Sequence, residues 1–381
     1  MKKLAILGAS DFQNPLILRA KEKGCETHVF AWGCGDVGES TADFFYPIST
    51  AERDTILEKC QEIGIDGICT IGSDFNNIVA TYVANKMGLT ANSMETVERS
   101  TNKHLMRDTF AKCGDSSPRS FLVTKEHRDE VDVSNMRFPL IVKPTDRSGS
   151  RGITRISSKE ELPAALDAAF SCSFEGAAVV EEFVTGEEFS VEYLSWEGEH
   201  HFLQMTKKFT TGAPHFIETG HLEPAPVSNE LLDRTKAVVT HALDSLGVRY
   251  GASHSEVIID SDGQPWIVEI GSRMGGDCIG SDLVELSTGI DFVGGVIDIA
   301  LGQAPDLTPK HPDAFSMIRF VFAPEDLACF ERAQREHPEL VVRASEMEPF
   351  DHKVTDSSNR FGFFIMRGQS LSQLWPYLPI H

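Results

Sequence analysis

The chain lacks paired cysteines, a long apolar run and an excess of basic charge. Its eight cysteines, at positions 25, 34, 60, 69, 113, 172, 278 and 329, form no CxxC pair. That leaves neither a zinc nor a dithiol redox signature, and such scatter reads as reduced thiols in a cytoplasmic protein. No apolar stretch approaches the ~20 residues of a membrane helix. The opening MKKLAILGASDFQNP carries an apolar run of only five residues and reads as a strand rather than a secretion signal. Basic residues number 35 against 57 acidic, a formal charge of −22. A nucleic-acid or anionic-membrane partner is therefore disfavoured. An anionic small substrate is not, since it needs only a local cluster of Lys and Arg. There is no internal repeat and no low-complexity tract.

What is present suggests two or three domains in 381 residues. The first 95 residues alternate strand and helix: Lys3–Leu7, Pro15–Lys23, Thr27–Ala31, Phe44–Ile48, Ala51–Ile63, Gly67–Ile71 and Phe75–Met87, the last stopped by Gly88. This predicts a small doubly wound parallel sheet. Gly8-Ala9-Ser10, after the first strand, lacks the dinucleotide-binding spacing and reads as a tight turn. Near Ser100 the texture changes. Ser100 or Thr101 is expected to cap a helix running to Cys113, with Gly114 just past its end. Lys207–Pro226 reads as a long polar loop and Ser228–Leu246 as an amphipathic helix. Strand-like runs at Phe315–Phe322, Leu340–Arg343 and Phe361–Met366 mark a third α+β unit with no evident chemistry. Subdomain packing or a dimer contact is its expected role.

The most informative stretch is Ser255–Arg273, SEVIIDSDGQPWIVEIGSR. Asp262-Gly263 between two apolar runs predicts a two-residue hairpin turn. Ser261 then faces Gln264, and Glu256 faces Glu269. Directly opposed carboxylates repel, so the pair calls for a reason. A hard divalent cation supplies one, because Mg²⁺ takes one or two carboxylates plus substrate phosphates. The alternative is an exposed hairpin with its acids in water.

Other motifs are weaker singly. Lys103 sits in the first turn of its helix, where a cation is disfavoured and a phosphate would reverse the penalty; an ordinary surface lysine is the alternative. FPLIVKP, residues 138–144, is an apolar strand with one charge, Lys143, which either snorkels or meets an anion. The following DRSGSRG, 146–152, suits a flap over phosphates or a plain hairpin loop. VVEEFVTGEEFSV, 179–191, is two short strands broken at Thr185-Gly186, with Glu181 and Glu188 flanking the break; taken alone, it reads as an edge hairpin. A glycine-rich turn, Ser272–Asp277, follows the metal hairpin.

In this order and spacing, Lys103, Lys143, the SGSRG loop, EEFVTGEE, Glu256 and EIGSR resemble the ATP-grasp superfamily over roughly residues 1–300. KPTDRSGSRGI and HSEVIIDSDGQPWIVEIGSRMGGD resemble its carboxylate–amine ligases, including the L-amino acid ligases. The resemblance implies a doubly wound domain at 1–95, a two-part α+β ATP-grasp domain at 96–304 and a small α+β C-terminal subdomain at 305–381. It implies ATP and Mg²⁺, with Mn²⁺ as the alternative ion. Lys103 and Lys143 would contact phosphates, and Ser148, Gly149, Ser150, Arg151 and Gly152 would cover them. Glu181 would accept the adenine amino group, the Phe183–Val184 backbone would lie beside the ring, and Glu188 would bind the ribose. Glu256 and Glu269 would hold the metal, and Arg273 the transferring phosphoryl group. One departure is plain: where many relatives have Glu-x-Asn-x-Arg, this chain has Gly271.

The expected reaction is ADP-forming ligation of a small carboxylate to an amine through an acyl phosphate. His254, two residues from Glu256 on the same strand face, is a candidate substrate contact or a structural histidine. Glu218, His221, Gly275 and Gly276 are further candidates on the amine side. The rivals are a bicarbonate-activating carboxylase, a purine-pathway ligase, and a nucleotide-binding regulatory protein without turnover. The sequence names neither the acid nor the amine. It leaves the oligomeric state open, a homodimer being the commonest soluble arrangement.

Overall fold

The computed structural model describes residues 1–147, 151–212 and 216–379. The N-terminal sheet is parallel, in the order β3-β2-β1-β4. It is built from β1 (Lys3–Leu7), β2 (Glu26–Phe30), β3 (Phe44–Tyr46) and β4 (Gly67–Cys69). Its strands are short and apolar, as buried parallel strands are, and Ala5, Leu7 and Phe30 pack under the helices Arg53–Ile63 and Asp74–Met87. The order reverses at β1, which places a crevice outside the ends of β1 and β4. Ser73 caps the helix that starts there, accepting from the Asn76 amide, and Asp74 is in its first turn.

A second sheet is antiparallel, in the order β5-β8-β6-β7. It comprises β5 (Ser120–Thr124), β6 (Leu140–Pro144), β7 (Thr154–Ile156) and β8 (Ala177–Glu182). The helix Leu162–Cys172 covers one face, packing Leu166 and Phe170 on Leu140, Val142 and Val180.

The third sheet has eight strands: β9 (Glu187–Trp196), β10 (Glu199–Thr210), β11 (Glu218–Glu223), β12 (Gly251–Ile259), β13 (Pro265–Gly271), β14 (Phe315–Phe320), β15 (Val341–Ala344) and β16 (Phe363–Gly368). Their order is β13-β12-β9-β10-β11-β14-β16-β15. Side chains alternate across a strand, and here the alternation sorts chemistry. Phe189, Val191, Tyr193, Met205 and Val257 pack against the helix Asn229–Leu246. The opposite face carries Glu188, Glu192, Lys208, His221, Glu223, His254, Glu256 and Glu269, whose registers align across five strands.

Several expectations need correction. Lys207–Pro226 is not a loop: it contributes the end of β10 and all of β11, in mid-sheet. Its polarity is that of a strand face. The segment 179–191 is not a hairpin, because β8 and β9 belong to different sheets and residues 183–186 cross between them. Neither Ser100 nor Thr101 caps the helix at 103; both end a preceding helix, Met94–Thr101, and Asn102 accepts from the His104 and Leu105 amides. Residues 315–368 form no separate layer; their three strands extend the eight-stranded sheet through β11–β14 pairing.

The hairpin of β12 and β13 is instructive. Its loop is not a two-residue turn. Asp260 accepts from the Asp262 and Gln264 amides and from the Trp266 indole, which organises a longer loop with Gly263 left-handed at φ 74°. Ile259 therefore faces Pro265, one residue off the expected register. A bulge at Val268 restores it, and Glu256 does face Glu269.

Candidate active site

Charged side chains of the second sheet, the third sheet and the N-terminal crevice converge on one cleft. Asn102 fixes the start of the helix Lys103–Cys113, so Lys103 emerges at its first position. Its Nζ donates to Glu269 Oε1 at 2.9 Å and to the Arg147 carbonyl at 2.9 Å. Burial opposes the lysine's charge, but Glu269 outweighs it and raises the ammonium pKa. Lys143, on β6, pairs with Glu181 of β8 at 2.8 Å, and Arg107 reaches the other oxygen of the same carboxylate at 2.9 Å. Burial lowers the Lys143 pKa despite Glu181, with Arg107 and Lys103 adding repulsion.

Both Glu181 carboxylate oxygens face cations and the side chain is buried. The cause is local: two buried cations need a counter-charge. Phe183 lies in the crossover, where its amide donates to the Pro139 carbonyl and Arg155 lies over its ring at 5.0 Å. Val184 is the next residue of that crossover. In the segment expected to cover phosphates, Arg151 is exposed and Gly152 is left-handed at φ 71°. Ser148, Gly149 and Ser150 lie outside the described residues.

Sequence reasoning passed over Lys208. Its Nζ lies 2.6 Å from Glu188, 2.8 Å from Glu256 and 3.7 Å from Glu218. Burial opposes its charge, yet the three carboxylates raise its pKa well above normal. Burial likewise works against the Glu256 carboxylate, but Lys208 and His254 hold its pKa well below the usual range. The Leu203/Met205 alternation with Gln204, Thr206 and Lys208 was the available signal.

Deeper in the same face, His254 Nδ1 meets Glu192 at 2.5 Å, and His254 Nε2 lies 3.8 Å from Glu256. Burial disfavours imidazolium, but Glu192 overrides it and the His254 pKa rises to about 9. Gly275 passes directly over this pair. A Cβ there would come within 2.6 Å of His254 Nδ1, so only glycine fits. Gly276 has open space around it. His221 is buried with neither ring nitrogen hydrogen-bonded; its Nε2 is 3.7 Å from Asp277, which Arg360 clamps through both guanidinium arms at 2.6 and 3.0 Å. Residue 360, in the C-terminal third, thus reaches the cleft.

Arg273 does not pair with Asp277 or Asp282. Its Nε donates to Asp74 Oδ1 at 2.8 Å and its Nη2 to Oδ2 at 3.1 Å. Asp74 comes from the N-terminal crevice, and sequence reasoning missed it. Burial opposes its charge, but Arg273 keeps its pKa low.

The site thus brings together Lys103, Lys143, Glu188, Glu256, Glu269 and Arg273 around one cleft. Residues 136–281 match the ATP-grasp domain family. That match spans Lys143, Glu188, Glu256, Glu269 and Arg273. Alanine–anticapsin ligase of Bacillus subtilis (strain 168) is 25% identical over 273 residues, covering 63% of this chain and 58% of that protein. The chain spans little more than half the length of the first curated relatives it matches. Among solved structures, an L-amino acid ligase from Bacillus licheniformis superposes with TM-score 0.82 at 22% identity, covering 99% of this chain and 96% of that one. A phosphoribosylglycinamide synthetase from Anaerococcus prevotii gives 0.78 at 21% identity, covering 98% and 96%. These likenesses show that the chain shares the fold of those two proteins over almost its full length.

ATP-grasp chemistry implies a divalent metal. Among the described residues no three His, Cys, Asp or Glu are placed to hold one unaided. Glu256 and Glu269 nevertheless fit: they are hard oxygen donors on adjacent strands, each matched to an ammonium. Mg²⁺ completes such a pair from phosphates and water.

Proposed function

We propose that the chain is an ADP-forming carboxylate–amine ligase acting on an amino acid or similar small carboxylate. The observation that carries this reading is the opposed Glu256 and Glu269 pair, ringed by Lys103, Lys208 and Arg273. Lys103 and Lys143 bind the phosphates of ATP, Glu188 the ribose, and the crossover at 183–184 lies beside the adenine. Glu256 and Glu269 would hold Mg²⁺, or Mn²⁺, which would supply positive charge against the phosphates. The substrate carboxylate attacks the γ-phosphate and gives an acyl phosphate and ADP. Arg273 binds the transferring phosphoryl oxygens through its two-point fork. The amine then attacks the acyl carbon and expels phosphate. Glu218, His221, Gly275 and Gly276 border the end of the cleft where it would enter, and Arg151 and Gly152 belong to the flap that excludes water.

The likeness to an L-amino acid ligase and to alanine–anticapsin ligase supports this substrate class. The test is ADP and phosphate release with Mg·ATP across amino acids, singly and in pairs. Pair-dependent release is expected. Release that depends on bicarbonate would favour a carboxylase, release only with a purine-pathway amine a purine ligase, and ATP binding without release a regulatory protein.

A further inference from the structure

Arg360, from the C-terminal third, ends in the cleft wall. Its guanidinium lies over the Phe320 ring at 3.5 Å. Nη2 donates to Asp277 Oδ1 at 2.6 Å, and Nη1 to Asp277 Oδ2 at 3.0 Å and to the Glu218 carbonyl at 3.2 Å. One guanidinium thus ties Asp277, on the turn after β13, to Glu218 on β11. The arginine side chain is 6% exposed, whereas those of Asp277 and Glu218 each show 23%. The open surface of this corner is therefore carboxylate. Lys208 Nζ is 3.7 Å from Glu218 but 2.6 and 2.8 Å from Glu188 and Glu256, so its charge serves Glu218 least. Beside them His221 is 1% exposed with neither ring nitrogen hydrogen-bonded, and its Nε2 is 3.7 Å from Asp277 Oδ2.

A buried imidazole without a partner calls for one. Acceptors 3.7 Å apart can share one donor nitrogen at about 2.9 Å from each. Two carboxylates and a free imidazole acceptor match the three N–H donors of an ammonium. That nitrogen is not the one that attacks. Carboxylates around an ammonium favour its charged form, and an attacking amine must be neutral. Glu218 and Glu256 also share the Lys208 ammonium, which sets this corner next to the carboxylates expected to hold the metal. Its distance from the reacting carboxyl suits an α-amino group rather than the end of a side chain. We infer that Asp277, with Glu218 and His221, binds the α-ammonium of the substrate whose carboxylate is activated, so that this substrate is an α-amino acid with a free amino group. Arg360 is the positioning residue that sets Asp277. The inference rests on the ligase reading above, and it gives a corner bordering the amine's entry to the acid.

Hydroxylamine in place of the amine isolates the acid half of the reaction, because it traps an acyl phosphate as a hydroxamate. The full chain with Mg·ATP and hydroxylamine is offered the L-amino acids and their 2-hydroxy and N-acetyl counterparts. Hydroxamate from one or more amino acids is expected, with kcat/KM roughly 10²-fold lower for the counterparts. Counterparts within several-fold of the amino acid would overturn the inference and leave the ligase reading intact. Hydroxamate from none of these acids would overturn both. Asp277→Asn keeps a carbonyl for Arg360 and should lower amino-acid kcat/KM by roughly 10²-fold, with β,γ-methylene-ATP affinity held within several-fold. Undiminished discrimination against the 2-hydroxy acid in that variant would overturn the role of Asp277. Arg360→Met should raise the amino-acid KM about tenfold with kcat nearly kept, and Arg360→Lys should recover part of the loss. A fall in kcat alone would show that Arg360 does not act through Asp277. The wild-type comparison stands whether or not a variant folds.

Discussion

Glu223 is fully buried on the polar face of the eight-stranded sheet, where Thr206 and Ser287 hydroxyls donate to its two oxygens at 2.7 and 3.0 Å. Burial pushes its carboxyl from 4.5 up to about 8; the hydroxyls pull it partly back and Glu192 adds to the rise. The folded protein therefore holds this proton more tightly than the unfolded chain. The resulting stability is fully present below pH 4.5 and is lost as pH rises through 8. Between pH 6 and pH 9 about two pH units of that dependence are traversed, at about 1.4 kcal/mol each, so the loss is about 3 kcal/mol. Glu223→Gln keeps a carbonyl acceptor and does not titrate. Urea denaturation of both proteins at pH 6, 7, 8 and 9 should show the wild type losing about 3 kcal/mol more than the variant. His254 titrates in both, and its coupling to Glu223, which lowers the Glu223 pKa, is part of the difference. Parallel loss in the two proteins would refute a protonated Glu223.

Arg273→Lys should keep nucleotide affinity within several-fold and lower kcat by roughly 10²-fold, about 2.7 kcal/mol, because an ammonium has no two-point fork; near-normal kcat in steady-state assays would remove Arg273 from the catalytic set. Lys208→Met leaves Glu188 and Glu256 without their common cation, and should cost about 3 kcal/mol of stability by denaturant unfolding. Added Mg²⁺ should recover part of that loss, and a loss insensitive to Mg²⁺ would count against Glu256 as a metal ligand. Asn102→Ala removes the acceptor for two helix-start amides and should cost about 1 kcal/mol on the same measurement; no change would mean that Asn102 does not set the position of Lys103.

The residues legible in the sequence were those carried by local contrast. Lys143 is one charge on an apolar strand, Glu256 heads a run of branched side chains and Glu269 interrupts another. Their apposition survived a mistaken loop because Asp260 lengthened the turn and the Val268 bulge took up the extra residue. Lys208 and Glu223 were hidden for the opposite reason. A strand whose polar face borders a cleft loses the apolar majority that signals burial, and polarity was taken for a loop. Asp74, Arg107 and Arg360 were beyond reach, since their partners lie 199, 74 and 83 residues away. Nothing local distinguishes them from surface charges.

The charges in the cleft share one arrangement. Lys103, Lys143, Lys208 and Arg360 show only 4–6% of their side chains to solvent, whereas Glu269, Glu256, Glu188, Glu218 and Asp277 show about a quarter. The cations form the floor and the carboxylates the lining. A buried cation without a partner would cost several kcal/mol, and here each has one: Lys103 with Glu269, Lys143 with Glu181, Lys208 with Glu256, Arg360 with Asp277, as has Arg273 with Asp74. Nucleotide phosphate and a divalent ion bring charges of both signs together. Phosphate can take the ammonium of a pair as the metal takes its carboxylate, so an exchange at Lys103–Glu269 or Lys208–Glu256 leaves no charge alone. Arg273–Asp74 differs, because Asp74 belongs to another domain and faces no metal partner. That pair is therefore expected to persist through the exchange, with the guanidinium presenting its remaining edge to the phosphoryl group.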